Sequence, residues 1–131
     1  MSAEVEIQRG LYQALTALGL TVVDFGQQAE DGGSSGPFPY VEVGMVVLRP
    51  WDTARETGHE FVARIHVWSR SGSAAEAKGI QGQIYDRLHR QAITVTGYSL
   101  ILLQYEMSDF MRTPSGSFHG VSEFRGLIET A

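Results

Sequence analysis

Along the chain, apolar positions first recur at the spacing of a helix. Ile7, Leu11, Ala14, Leu15 and Leu18 fall within about one third of a helical wheel, so residues 3–18 are predicted to form a helix with one buried stripe, stopped by Gly19. A short β-like run follows at 21–25, and the polar, glycine-rich GQQAEDGGSSG (26–36) reads as a loop. Pro37 and Pro39 each push the preceding residue into extended conformations, making PFPYV a stiff approach to a strand over 40–48. Residues 61–69 alternate Phe61, Ala63, Ile65 and Val67 against Val62, Arg64, His66 and Trp68, the period of a strand with one buried face. These two strands are expected to pair antiparallel, joined by a polar arm over 49–60.

The period then returns to that of a helix. Ala77, Ile80, Ile84 and Leu88 form one stripe, and Ser73 precedes Glu76 by three, the spacing of a capping box. Ala75, Gly79, Gly82 and Asp86 fall on the opposite side. The two helical glycines cost about 0.8 to 1 kcal/mol each relative to alanine, which cancels what a cap contributes. A smooth face of this kind either admits a close backbone, of the first helix or a neighbouring subunit, or is an unoptimised solvent face in which glycines are tolerated. Strands over 98–111 and 118–129 follow, separated by the turn RTPSGS. The order α-β-β-β-α-β-β predicts an α+β fold: a mainly antiparallel sheet of four to five strands with two helices packed on one face, in one domain spanning residues 1–131.

Composition narrows the functional classes. With 43% hydrophobic and 19% charged residues the chain is ordinary for a globular protein. The absence of cysteine excludes a disulfide framework, thiolate metal ligands and thiol chemistry. Acids stand at the N-terminus where a secretory signal carries bases, and the longest purely apolar run, Leu100 to Leu103, is far too short to span a bilayer. The expectation is a protein that stays where it is made, without a membrane partner. A net charge of −5 with scattered arginines argues against gripping nucleic acid through its phosphates.

Candidate chemistry adds little. None of His59, His66, His89 and His119 stands three or four residues from another, the spacing at which a helix converges two of them on one ion. Ser69, Ser71 and Ser73 lack the Gly-x-Ser-x-Gly elbow of a hydrolase, and GGSSG lacks the lysine of a phosphate-binding loop. Asp52, Glu56 and Glu60 share the arm with Arg49 and Arg55, a mixed-charge segment suited to solvent or a partner. No catalytic, cofactor-binding or metal site is predicted, and no cofactor.

Three stretches carry a resemblance. PFPYVEVG (37–44), HVWSRSGSAAEAKGI (66–80) and HGVSEFRGLIE (119–129) are similar, in order and spacing, to signatures of the tail-completion or tail-terminator proteins of long non-contractile-tailed phages and gene transfer agents. The 26–36 loop is roomier than that pattern. The resemblance implies a non-enzymatic virion protein at the head–tail interface, made in the cytoplasm of a bacterial host. It further implies a hexameric ring that halts tail-tube polymerisation, contacts the tube protein and the head-side connector or stopper, and passes DNA only as cargo. Ring closure needs two different surfaces on each subunit. Arg49, Trp51, Asp52 and Arg55 of the arm, with Gly79 and Gly82, are the candidate subunit or tube contacts. Trp51 is either an anchor at such a contact or a cover for the hairpin base. The rival expectations are a small dimeric α+β barrel enzyme or ligand-binding domain, with a cavity lined by His66, Arg64 and Tyr105, or another tail part such as a head-side stopper.

Overall fold

The computed structural model describes residues 2–24, 38–53, 56–70, 74–114 and 116–131. Its elements are α1 (Ala3–Thr16), β1 (Val22–Asp24), β2 (Tyr40–Pro50), β3 (Gly58–Ser69), α2 (Ala75–Leu88), β4 (Tyr98–Arg112) and β5 (Phe118–Thr130). The element order and the α+β class match the sequence pattern. The first helix starts where the Ser2 hydroxyl accepts the Val5 N–H, with Glu4 and Glu6 in the first turn complementing the helix dipole. It ends at Thr16, two residues before the predicted end. Leu18 sits in the turn that Gly19 closes at φ +83°, a left-handed conformation natural to glycine.

The strands form one sheet in the order β1-β2-β3-β5-β4. β5 lies between β3 and β4, antiparallel to both, so the last hairpin folds back into the middle of the sheet. β1 pairs parallel to β2, Val22 opposite Val41 and Asp24 opposite Val43. A parallel pair needs a connection of about a dozen residues or more, and 25–39 are long enough. The β2–β3 ladder continues through Arg49 opposite Glu60 and Pro50 opposite His59. The arm expected over 49–60 is therefore confined to 51–57.

Alternation decides which side chains enter the core. Phe61, Ala63, Ile65 and Val67 of β3 and Phe124 and Ile128 of β5 point to the face covered by α1 and α2. Fully burying each larger apolar side chain contributes about 1.5–3 kcal/mol. One extra residue in β2 between Val43 and Val46 makes a bulge that reverses the parity of the strand. Val41 and Val43 face the core before it, Val46 and Leu48 after it, and Met45 and Val47 are turned outward. Gly126 lies opposite Phe61, whose ring occupies the place where a Cβ would be. That pit lets the largest buried residue of β3 lie flat on β5.

The second helix buries Ala77, Ile80, Ile84 and Leu88, the predicted stripe. Ser73, the expected cap, lies outside the described residues. Ala74 holds the N-cap position without a side-chain bond, and Ser69 Oγ donates to the Glu76 carboxylate at 2.6 Å. The acid thus fastens the helix start to the end of β3. At the other end, the Arg90 N–H donates to the Leu103 carbonyl, and the Tyr105 N–H donates to His89 Nδ1. These bonds satisfy part of the outer edge of β4.

Candidate assembly interface

Both helices cover one face of the sheet, and the side chains of opposite parity are left on the other. Along the centre of this open face run two ion pairs, Arg64 with Glu123 and Arg125 with Glu60. Each joins β3 to β5. Towards the β1 end the face is aromatic: Tyr40 stacks on Trp68, and Trp68 lies flat on the His119 ring with centroids 3.9 Å apart. His66 completes the stack, its Nδ1 2.9 Å from His119 Nε2, so one imidazole donates to the other.

That bond requires an unprotonated acceptor. Burial, reinforced by the Arg64 charge, lowers the His66 pKa below its ordinary 6.5. Burial and the neighbouring His66 bring His119 to about 4, against a smaller opposing pull from Asp109. The histidines form a neutral stacked pair. Sequence spacing could not show it, because cross-strand pairing through β3 and β5 brings them together.

The flanks of the open face are apolar. Met45 and Val47 on β2, and Met107 and Met111 on β4, are each about half exposed. Between Met45, Val47, Val62, Arg64 and His66 lies a shallow concavity of about 380 Å³. A second, of about 330 Å³, extends it towards Arg49, Glu60 and Glu123. Exposed methionines on both outer flanks of a sheet are a feature of partner surfaces, since the flexible thioether adapts to a contact. The sequence reading missed these four residues. Their outward parity becomes legible only once the bulges in β2 and β4 are known.

The residues predicted from sequence separate into two places. At the hairpin tip, half-buried Trp51 packs over Gly58 where a Cβ would stand, and its N–H donates to the Gly58 carbonyl. The Asp52 carboxylate accepts the Gly58 N–H at 3.1 Å. Arg49 is exposed at the end of the β2 ladder, beside Pro50, and Arg55 lies outside the described residues. On α2, Gly79 and Gly82 are exposed, and nothing comes within 4 Å of where their Cβ atoms would be. Among the described residues the first helix does not approach this face, which is open to solvent or to a neighbouring molecule.

His66 and Arg64 lie on the open face. Tyr105 lies on the core side, against Phe124 and Tyr85. The three residues of the pocket rival therefore stand on opposite faces of one sheet. What the fold presents is a broad, half-apolar surface with strand edges on both sides. Its family follows from comparison: the chain matches the tail completion protein gp17 family over residues 11–129, and belongs to it. It has a structural part in a virus-like tail.

Among relatives, it is 24% identical to the tail completion protein gp17 of Bacillus phage SPP1 over 103 residues, which span 78% of this chain and 76% of that protein. Two solved structures share the fold. A chain in the virion of a native gene transfer agent particle superposes with a TM-score of 0.75 at 20% identity, covering 94% of both chains. The structure of the bacteriophage SPP1 gp17 protein gives 0.58 at 18% identity, covering 95% of this chain and 89% of that one.

Proposed function

We propose that this chain is a tail terminator: a subunit of a hexameric ring at the head-proximal end of the tail tube, which halts tube polymerisation and joins the tail to the head-side connector. Its role is structural and needs no catalytic residue. Its neighbours are other copies of itself, the tube protein and a connector or stopper protein, and DNA passes through the ring as cargo. The observation that carries the reading is the one-sided sheet, whose uncovered face bears exposed methionines on both flanks and whose two edges differ. A closed ring of identical subunits needs two dissimilar, mutually complementary surfaces of this kind.

The hairpin tip with Arg49, Trp51, Asp52 and Arg55 is assigned to subunit or tube contacts, as is the glycine face of α2 at Gly79 and Gly82. The acidic balance of the chain suits a passage through which DNA slides without adhering. Electron microscopy of particles assembled without this protein tests the proposal. Overlong or headless tails are expected, and tails of normal length joined to heads would overturn it.

A further inference from the structure

We infer that the ring is held by main-chain pairing between the β4 edge of one subunit and the far half of β2 in the next, with Arg49 of one copy opposite Asp109 of its neighbour. This rests on the ring proposed above and names its junction.

The two edges are unpaired in complementary places. β1 occupies the outer side of β2 only at Val41 to Val43, and among the described residues no strand pairs with residues 44–50 on that side. At the opposite end of the sheet, His89 and Arg90 engage the β4 edge at Tyr105 and Leu103, and residues 106–112 have no strand beyond them among the described residues. There the Phe110 N–H turns to its own Asp109 carboxylate at 2.7 Å, a local substitute for a strand partner. Edges of this kind are completed by another strand. The chain carries one on each side of its sheet, so a second copy supplies the match for both.

Direction and parity agree. β2, β3, β5 and β4 alternate in direction, so a copy related by rotation about an axis along the sheet presents β2 antiparallel to β4. The Val41 N–H donates to the Thr21 carbonyl just before β1, and the bulge after Val43 shifts the edge-facing backbone to Val46, Leu48 and Pro50. On β4, Tyr105 faces the edge, and the irregularity between Tyr105 and Met107 shifts this to Ser108, Phe110 and Arg112. On both strands the edge-facing residues send their side chains to the core side, where Leu48 and Phe110 are half-buried. Leu48 opposite Phe110 is thus a hydrogen-bonded pair that extends the core. It sets Arg49 against Asp109 and Val47 against Met111 on the open face. A shift by two in one sense places the Asp109 carboxylate over Val47, and in the other it sets Arg49 against Met111. Charge selects one register.

Within its own sheet Asp109 is level with Glu42, through Val121 and His66, and not with Arg49. Every junction therefore adds the same stagger, and a sheet closes on itself only with a stagger.

The chain has no cysteine, so cross-linking is free of background. Directly opposite antiparallel residues have Cα atoms about 4.5–5.5 Å apart, within the span of a disulfide. In particles assembled with the Arg49→Cys, Asp109→Cys double variant, oxidation should convert most of this protein into covalent multimers up to the full ring. The pair Val47→Cys, Asp109→Cys, two positions out of register, should remain largely monomeric. Arg49→Glu and Asp109→Arg should each reduce tail joining tenfold or more, and the double reversal should restore it. Thermal melts of the purified variants check that each folds. Correctly terminated tails in which the Arg49–Asp109 cysteine pair stays monomeric on oxidation would overturn the edge pairing and leave the terminator role standing. Normal tails in the complete absence of the protein would overturn the role beneath it.

Discussion

Replacing Gly126 by alanine should destabilise the protein, whereas the same change at Gly79 or Gly82 should stabilise it. At Gly126 a Cβ meets the Phe61 ring at three carbons, and Phe61 is fully buried. Overpacking of this kind costs about 1–3 kcal/mol, offset by roughly 0.4–1 kcal/mol from the reduced freedom of the unfolded chain. The net loss is about 1–2 kcal/mol, or roughly 3–10 °C in melting temperature for a chain of this size. At Gly79 and Gly82 nothing lies within 4 Å, and alanine gains about 0.8–1 kcal/mol of helix propensity at each. Circular-dichroism melts of the three single variants in dilute solution measure both signs. Phe61→Leu, which withdraws the ring, should remove most of the Gly126→Ala penalty in a double-mutant cycle, an interaction of about 0.5–3 kcal/mol. A Gly126→Ala variant melting at or above the parent would refute the packing argument. If Gly79→Ala and Gly82→Ala raise the melting temperature yet prevent tail joining, a neighbouring molecule covers the glycine face.

Further predictions concern the stacked histidines, the helix anchor and the hairpin tip. Because His119 is held at about 4 while its unfolded value is near 6.5, the unfolded chain binds the extra proton first as pH falls. Stability should therefore drop as pH decreases from about 6.5 towards 4 and change little further through this group. His119→Gln should flatten that slope in melts over the same range, and an unchanged slope would count against the neutral pair. Ser69→Ala removes the hydroxyl bonded to Glu76 and should cost about 0.5–1.5 kcal/mol in chemical denaturation. Particles carrying Trp51→Ala should show loosened tail ends by electron microscopy, and normal infectious tails would assign Trp51 only to covering Gly58.

Much of the fold was legible because secondary structure writes a local period. The stripe Ile7, Leu11, Ala14, Leu15 and the stripe Ala77, Ile80, Ile84, Leu88 mark two helices, and Phe61 to Val67 marks a one-sided strand, with no knowledge of what each packs against. Three stretches in order carried the family. The candidate interface was only partly readable. Arg49 was marked by its place in a mixed-charge segment, while Asp109, Met45 and Met111 carried no signal.

Strand neighbours, and therefore surfaces, were settled only in three dimensions. Nothing local says that β5 inserts between β3 and β4, that β1 runs parallel to β2, or that a single extra residue after Val43 turns Met45 and Val47 outward. Pairing is chosen by contacts between residues far apart in the chain, and one bulge reverses every side chain beyond it. For the same reason Gly126 and Gly82, alike in the sequence, are a packing pit and an open surface. His66 and His119 become neighbours, and Tyr105 leaves them for the opposite face. The amino-acid order specifies the elements and their buried sides; long-range pairing decides which residues stand together on the surface that a partner meets.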